Sequence, residues 1–440
     1  MSDSPGTDSR GTDNPPRSGV PGGALLTGLR VLDLTDERGA FCGRMFAELG
    51  ADVIKIEPPG GCPTRRVGPF LDGVPGADRS LYFIAYQAGK RSVTLNLDVA
   101  DGRNLLGDLV RQADFVVESL GRDYLDSRGV GYDWMSGQNP RVIYTTITPF
   151  GDRGPSADWR ALDINCWASG GMMFLSGLPG RPPLQMAVPQ AFLHAGAEAA
   201  TASMLAYFSR LHDSRGQKVV IDTQACVVWT LMNEQAFPVL HGEFLKRTGP
   251  LSGSAKIARR TVYPCADGYV TFILTGGSPY ANSSRIMVDW MIEEGAAPDW
   301  LKDTDFNEWT AARFVSNPDP AFLALVADSE QAVYDFFAGK TKMELYHGAI
   351  ERRILLAPVS TPADIAGDKQ LAARDYFRTV RHDTVGRNLP MPGRFARFSG
   401  VPTGGLAPAP RLGEHNLDVY RDLLGVDLSR LRHLYSTGVI

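Results

Sequence analysis

His194 and Glu198 stand four residues apart in AFLHAGAEAA. At one helical turn, a histidine and a carboxylate can pass a proton to and from a bound substrate as an acid/base pair, provided the helix begins this early. The same side chains can equally be a buried or capping histidine and a structural charge. Carboxylates are scarce around them, since no Asp or Glu occurs from Ile164 to Ala197. Glu57 closes a βαβ-like start, where a dinucleotide fold binds a ribose hydroxyl. The turn before it, TDERGAFCG, lacks GxGxxG, and no GxxxxGK[ST] occurs, which argues against a NAD or P-loop site. An adenosine-containing ligand held in another way stays open. The five cysteines, Cys42, Cys62, Cys166, Cys226 and Cys265, form no CxxC or Cys/His cluster, so neither a disulfide framework nor a structural metal is expected. Arg259 and Arg260 can face a substrate carboxylate or solvent.

These groups need elements to position them. Leu29–Thr35 and Ala51–Glu57 read as apolar strands around a helical stretch, GRMFAELG, and Pro58, Pro59, Gly60 and Gly61 end the unit. Ser92–Asp98, Ala113–Ser119 and Arg141–Thr148 read as further strands. Leu105, Leu106, Leu109 and Val110 fall on one face of a helix between the first two of these. Apolar strands alternating with helices define a parallel sheet buried on both faces, a Rossmann-like α/β architecture. Ala195–Arg210 reads as a closely packed helix and Gln217–Gln224 as a strand. From about Cys226 to Tyr346 helices predominate, with a hairpin at Asp267-Gly268. The reading is a disordered tail over 1–24, a large domain over 25–225, a smaller domain over 226–346, and a return to the large domain over 347–440.

The chain has 440 residues, 43% hydrophobic and 21% charged, with a net charge of −4. That is a globular composition of two to four domains. The acidic balance argues against a dedicated nucleic-acid binder, so an anionic ligand needs a local basic cluster. No run of about 18 apolar residues suggests a membrane span. The first residues, rich in Ser, Gly, Pro and Asp, carry no apolar secretory core, and a cytoplasmic, thiol-reduced protein is expected.

Several stretches resemble one family. TGLRVLDLT, ELGADVIKIEPPGG, AGKRSVTLNLDVADGRNLLGDLVRQADFVVES and NPRVIYTTITPFGDRGP are similar, in order and spacing, to the N-terminal half of the family III CoA-transferases, a group that includes formyl-CoA, carnitine and benzylsuccinate CoA-transferases and methylacyl-CoA racemase. ILLAPVSTPADIAGDKQLAARDYF, PGRFARFS and PAPRLGEHNLDVYRDLLG extend the likeness to the C-terminal half. The resemblance implies a Rossmann-like large domain made from both chain ends, an inserted smaller α+β domain, and two subunits interlocked as rings, either a homodimer or a heteromer with a paralogue. It implies coenzyme A or acyl-CoA as substrate, a carboxylic acid as second substrate, no permanently bound cofactor, and no nucleic acid or membrane partner. By motif position, Arg65, Arg66, Lys90, Arg91, Ser119, Leu120 and Arg128 would hold the CoA; Arg side chains suit its phosphates, which they meet with two parallel donors. Where the family often has Gly-Asp before its phosphate-side Arg, this chain has Gly61-Cys62-Pro63.

The likeness fails at the reacting centre. In the transferases an Asp just before a helix attacks the thioester, forming an acyl–aspartyl anhydride that CoA thiolate converts to an aspartyl-CoA thioester. Taking Pro189-Gln190 as the family's Gly-Asp puts Gln190 at this position, while counting back from Ala195-Gly196 reaches Phe192, and neither can serve. A neutral amide can hold a carboxylate or carbonyl but cannot form the anhydride. The racemase branch has His before Asp-Ile-Asn; here Leu162 precedes Asp163-Ile164-Asn165, so racemisation by that route is not expected and Asp163 reads as structural. The Gly/Ser stretch Thr248–Lys256 falls where the family has an active-site lid. PGRPPLQMAVPQAFLH can line an apolar pocket or belong to a core. The reading is a CoA-transferase that needs a partner subunit bearing the nucleophilic Asp. The alternatives are a catalytically silent CoA-binding subunit, or an altered acyl-CoA reaction such as isomerisation or hydrolysis using His194 or a water.

Overall fold

The computed structural model describes residues 24–252, 259–277, 280–315, 319–401 and 406–440. The expected tail over 1–24 lies outside these residues except for Ala24, and so do positions 253–256 of the expected lid. Contacts gather the chain into two units. The first holds the chain through Arg160, Phe192–Thr223 and Arg374–Ile440; the second holds Ala161–Ala191 and Gln224–Ala373. Composition put the changes of character at 226 and 346. It could not register that the segment after Arg160 folds with the second unit, where Gln224 Nε2 donates to Ser169 O at 2.9 Å.

The first unit is built on six strands: β1 (Arg30–Leu34), β2 (Asp52–Glu57), β3 (Arg91–Thr94), β4 (Phe115–Glu118), β5 (Ile143–Thr148) and β6 (Lys218–Asp222). Their order is β3-β2-β1-β4-β5-β6, and every pair is parallel. Strands β1, β4 and β5 are buried along their whole length, as expected of parallel strands covered by helices on both faces. The helix Ala100–Arg111 presents Leu105, Leu106, Leu109 and Val110 to this core.

The stretch expected as strand to Asp98 stops at Thr94. Beyond it the C-terminal segment takes over the backbone groups. Asn416 Oδ1 accepts from Thr94 N at 2.9 Å, Tyr420 Oη donates to Thr94 O at 2.7 Å, and Asn96 N donates to Val439 O at 2.7 Å. The end of the chain thus covers an otherwise open sheet edge. The strand expected from Gln217 ends at Asp222 and passes directly into the helix Thr223–Trp229. The alanine-rich helix is longer than expected, running Ala191–Asp213.

The second unit has its own core, made largely of aromatic side chains. Tyr263, Phe272 and Phe337 meet edge to face or tilted, with ring centres 5.4–6.1 Å apart. The hairpin foreseen at Asp267-Gly268 pairs Val262–Cys265 with Gly268–Thr271, and Ala357–Pro358 adds a third strand.

Candidate active site

In a sheet of this order the two halves wind in opposite senses from β1 and β4. The crevice beyond the carboxyl ends of those strands is where open α/β sheets hold ligands. Asp36, Glu37 and Arg38 follow β1 there, and Ser119 and Leu120 follow β4. They are tied together across 83 residues of sequence: Ser119 Oγ donates to Asp36 Oδ1 at 2.6 Å and accepts from Asp36 N at 2.8 Å. Arg38 Nε bridges both Asp36 oxygens at 3.1 Å. Gly39 makes the turn possible, because a Cβ there would lie 2.6 Å from Thr35 Cγ2 and 2.8 Å from Ile147 Cδ1. Beneath, the buried carboxylate of Glu118 accepts from Leu120 N at 2.8 Å and from Tyr144 Oη at 3.3 Å. Burial pushes its titration up, and these donors only partly offset the effect.

The cations named by motif position separate into distinct settings. Arg65 is buried at 2% exposure, with Nε and Nη2 donating to the two oxygens of Glu57 at 2.7 Å each, Nη1 to Asp78 at 2.9 Å and Nη2 to Pro410 O at 3.2 Å. It lies 3.8 Å from the centre of the Phe83 ring. Burial pushes Glu57 up, but Arg65, Ser92 Oγ and Cys62 N outweigh it and hold Glu57 below the usual carboxylate range. Glu57 is thus consumed by a buried ion pair.

Lys90 Nζ is equally committed, to Asp33 Oδ2 at 2.7 Å, Gln87 Oε1 at 2.7 Å and Ala40 O at 2.9 Å. Lys55 shares the same Asp33 at 3.2 Å and also donates to Thr35 O. A Cβ on Gly43 would fall 2.2 Å from Asp33 Oδ2, so only glycine leaves room for this cluster. Arg91 opens β3, at the amino ends of the strands, and pairs with Asp52 at 2.7–2.8 Å beside Arg30. The structure does not bring it to the carboxyl-end crevice, because strand polarity puts the two at opposite edges of the sheet. Arg66 is exposed after β2, its Nη2 donating to Gly60 O at 3.4 Å, and it has no ion pair among the described residues. Arg128 lies in the segment after β4, 3.8 Å over the Tyr124 ring and paired to Asp98 at 2.8 Å.

Gln190 is half-buried and immediately precedes the helix Ala191–Asp213. Its backbone N–H donates to Asp163 Oδ1 at 3.3 Å, so the second unit holds Asp163 beside this position. His194 and Glu198 lie one turn apart on that helix, within the first unit and half-buried, and no hydrogen bond or ion pair joins them. Leu184, Met186 and Val188 are 57%, 50% and 54% exposed, so the apolar stretch before Gln190 is not core of this chain. Asp36, Arg38 and Glu118 were missed by the sequence reading. The available signal was their position just after the first and fourth strands of a doubly wound pattern. Among the described residues, no group of three or more His, Cys, Asp or Glu could hold a metal ion, and no helix is long and apolar enough to cross a membrane.

The six-stranded sheet, its switch-point crevice and the C-terminal return to the sheet edge define a doubly wound, Rossmann-like α/β protein. The profile of CoA-transferase family III matches residues 26–416, and the chain belongs to that family. Its reaction class is the movement of CoA between carboxylic acids. The chain is 34% identical to succinyl-CoA:(R)-benzylsuccinate CoA-transferase subunit BbsE of Thauera aromatica, over 89% of this chain and 92% of that one. It is 31% identical to formyl-CoA:oxalate CoA-transferase of Streptomyces avermitilis, over 94% and 99%. Among solved structures, a CAIB/BAIF family protein from Brucella suis superposes with a TM-score of 0.75 at 27% identity, covering 91% of this chain and all of that one.

Proposed function

We propose that this chain is the CoA-binding, carboxylate-deficient subunit of a cytoplasmic heteromeric CoA-transferase, and that a paralogous subunit supplies the attacking Asp. The observation that carries the reading is Gln190 at the head of the helix Ala191–Asp213, in a stretch from Ile164 to Ala197 without an acid. An amide there can hold a carboxylate or thioester carbonyl through its N–H and C=O, but it cannot be acylated in an anhydride step. The printed name of the Thauera relative, a subunit, supports an assembly of unlike chains. So does an apolar stripe on the helix Ala191–Asp213, where Leu205, Phe208 and Leu211 are 66%, 63% and 60% exposed. A row of large apolar side chains left in water is the mark of a surface that another chain covers.

The CoA thioester would lie at the carboxyl-end crevice. Ser119 and Leu120 would receive it beside the Asp36–Arg38 pair, with Arg66 and Arg128 reaching its phosphates as charge-assisted donors. In this reading Arg65, Lys90 and Arg91 act through position rather than contact: their guanidinium and ammonium donors shape the loops that meet the ligand. His194 and Glu198 would face the reacting end from the helix. The second substrate would be a dicarboxylic acid, as in the names of both relatives.

The test is CoA exchange between acids, followed by mass spectrometry. The purified chain alone is expected to exchange none and to yield no hydroxylamine-trapped acyl or CoA ester. Adding an Asp-bearing paralogue should restore turnover, and Gln190→Asp should give the lone chain measurable exchange. Robust exchange by the unaltered chain, unaffected by Gln190→Ala, would refute the proposal.

A further inference from the structure

Arg38 follows β1 into the crevice, and only one side of its guanidinium is in use. Nε donates to both oxygens of Asp36 at 3.1 Å, and Nη2 donates to Asp36 Oδ2 at 2.5 Å. The end-on fork, one N–H of Nη1 and the second N–H of Nη2, has no partner among the described residues. The Arg38 and Asp36 side chains are 17% and 14% exposed, so the pair is recessed yet open to solvent.

The mounting of this fork is stiff. Ser119 Oγ donates to Asp36 Oδ1 at 2.6 Å and accepts from Asp36 N at 2.8 Å. Arg38 N donates to the same Oδ1 at 3.0 Å, and Tyr82 Oη donates to Glu37 O at 3.0 Å. A guanidinium is planar, so a carboxylate that grips Nε and Nη2 also fixes the plane and direction of the free fork. All of these residues belong to the first unit.

The surrounding charge decides what the fork can take. Burial pulls the titration of Arg38 down, but the hydrogen bonds and charge of Asp36, then the charges of Glu37 and Glu118, more than reverse it. One cation therefore already answers to three acids. A ligand carboxylate would add a fourth like charge, whereas a neutral carbonyl adds none. One carbonyl oxygen has two lone pairs, enough for both N–H groups of the fork. The thioester brings such a carbonyl to the crevice, and its oxygen turns anionic when a carboxylate adds to the carbonyl carbon. Donors fixed in advance and aimed at that oxygen favour the charged state most in a recessed site.

We propose that the free fork of Arg38, set by Asp36, receives the thioester carbonyl oxygen of bound acyl-CoA. On attack, the carbonyl π pair moves onto this oxygen and is met there by the fork. It returns as the C–S bond breaks and CoA leaves as thiolate, and no proton leaves Arg38. Arg38 is then a catalytic residue and Asp36 a positioning residue. This rests on the transferase reading and adds to it a chemical task that this chain performs although another supplies the nucleophile.

The experiment pairs calorimetric titration of the full chain with infrared difference spectroscopy of bound succinyl-CoA labelled at the thioester carbonyl. The calorimetric ligands are CoA, succinyl-CoA and the thioether in which CH2 replaces that carbonyl. Wild type should bind succinyl-CoA on the order of tenfold more tightly than the thioether, the scale of a charge-assisted hydrogen bond. The bound carbonyl stretch should lie below its value in water. Arg38→Met should bring the two ligands to within about twofold of each other and return the stretch, with the affinity for free CoA retained. Arg38→Lys keeps the charge without the fork and should show a smaller lowering. Asp36→Asn should broaden the stretch and raise it toward the water value; a merely structural role would weaken all three ligands alike and leave the stretch in place. An unshifted stretch in wild type, or one equally lowered in Arg38→Met, would overturn the inference alone, and the wild-type arm decides even where a variant fails to fold. A chain that binds neither CoA nor succinyl-CoA would overturn the functional reading beneath it.

Discussion

The sharpest stability prediction concerns Arg65. Its guanidinium is 2% exposed, grips both oxygens of the fully buried Glu57 at 2.7 Å, and packs 3.8 Å from the centre of Phe83. Arg65→Met keeps most of the volume and the ring contact but leaves Glu57 charged, buried and short of its main partner. Stranding one member of a buried pair costs about 3–5 kcal/mol. At about 2–4 °C per kcal/mol for a domain of this size class, the thermal midpoint should fall by roughly 6–20 °C. In the double variant Glu57→Gln/Arg65→Met neither member of this pair is charged, and Gln can still accept from Ser92 Oγ or Cys62 N, so much of the loss should return. Because the folded chain holds Glu57 below the usual carboxylate range, the pair's stabilisation is present above the unfolded-state pKa and is lost as pH falls through the folded value. Urea melts between pH 3 and 7 should show that dependence in wild type and a flatter one in the double variant. An Arg65→Met chain with an unchanged midpoint and a lost affinity for CoA would refute this reasoning, since it would mean the guanidinium serves a phosphate instead.

Other perturbations test the remaining links. Asn416→Ala strands Thr94 N and Oγ1 and should cost about 1–3 kcal/mol in urea melts, with faster hydrogen exchange at the Thr94 amide. Glu118→Gln should raise the melting midpoint at pH 8. Burial raises the titration of Glu118, so its charged form costs stability above the folded value, and the gain should shrink as pH falls through that value. Leu205→Glu/Phe208→Glu should abolish association with a second chain, read as a drop in light-scattering mass without a fall in helicity; an unchanged mass would argue that this stripe faces water.

Much of the sheet was legible because burial on both faces leaves a simple mark. Strands β1, β2 and β4 are short segments rich in Val, Ile, Leu and Phe, β5 is built of Ile, Tyr and Thr, and strict polar alternation is not needed where helices cover both sides. Strand β3 was overextended for a related reason. Residues after Thr94 keep the alternating pattern, yet the Thr94 backbone bonds to Asn416 and Tyr420, and Asn96 N to Val439 O, more than 300 positions away. Local pattern carries no trace of that. The start of the helix at Ala191 was missed because neither Gln190 nor its neighbours are strong caps. At Arg259-Arg260 one residue type occurs twice in a row, and only the alternation of an extended chain, with successive side chains on opposite faces, separates a buried side chain from a half-buried one.

The missing acid was legible as plain composition, but the purpose of the buried charges was not. Asp33, Lys55 and Lys90 form a cluster shut off from water. Burial pushes Asp33 up, and the two ammonium groups more than reverse it. Such clusters are weak evidence for net stability, because desolvation can consume the Coulombic gain. Their geometry gives a better reason for their presence. Lys55 donates to Thr35 O and Lys90 to Ala40 O, at the two ends of the loop that carries Asp36, Glu37 and Arg38. Asp33 ties both ammonium groups to β1, and its Oδ1 also accepts from Thr35 N at 2.9 Å. The loop is therefore pinned on both sides from beneath, while Ser119 fixes Asp36 from the neighbouring strand. A cradle held this firmly has lost little of the preorganisation that binding a ligand requires. In the proposed reading, what the chain lacks is a single attacking oxygen at position 190, and a separate subunit would supply that without any change to the cradle.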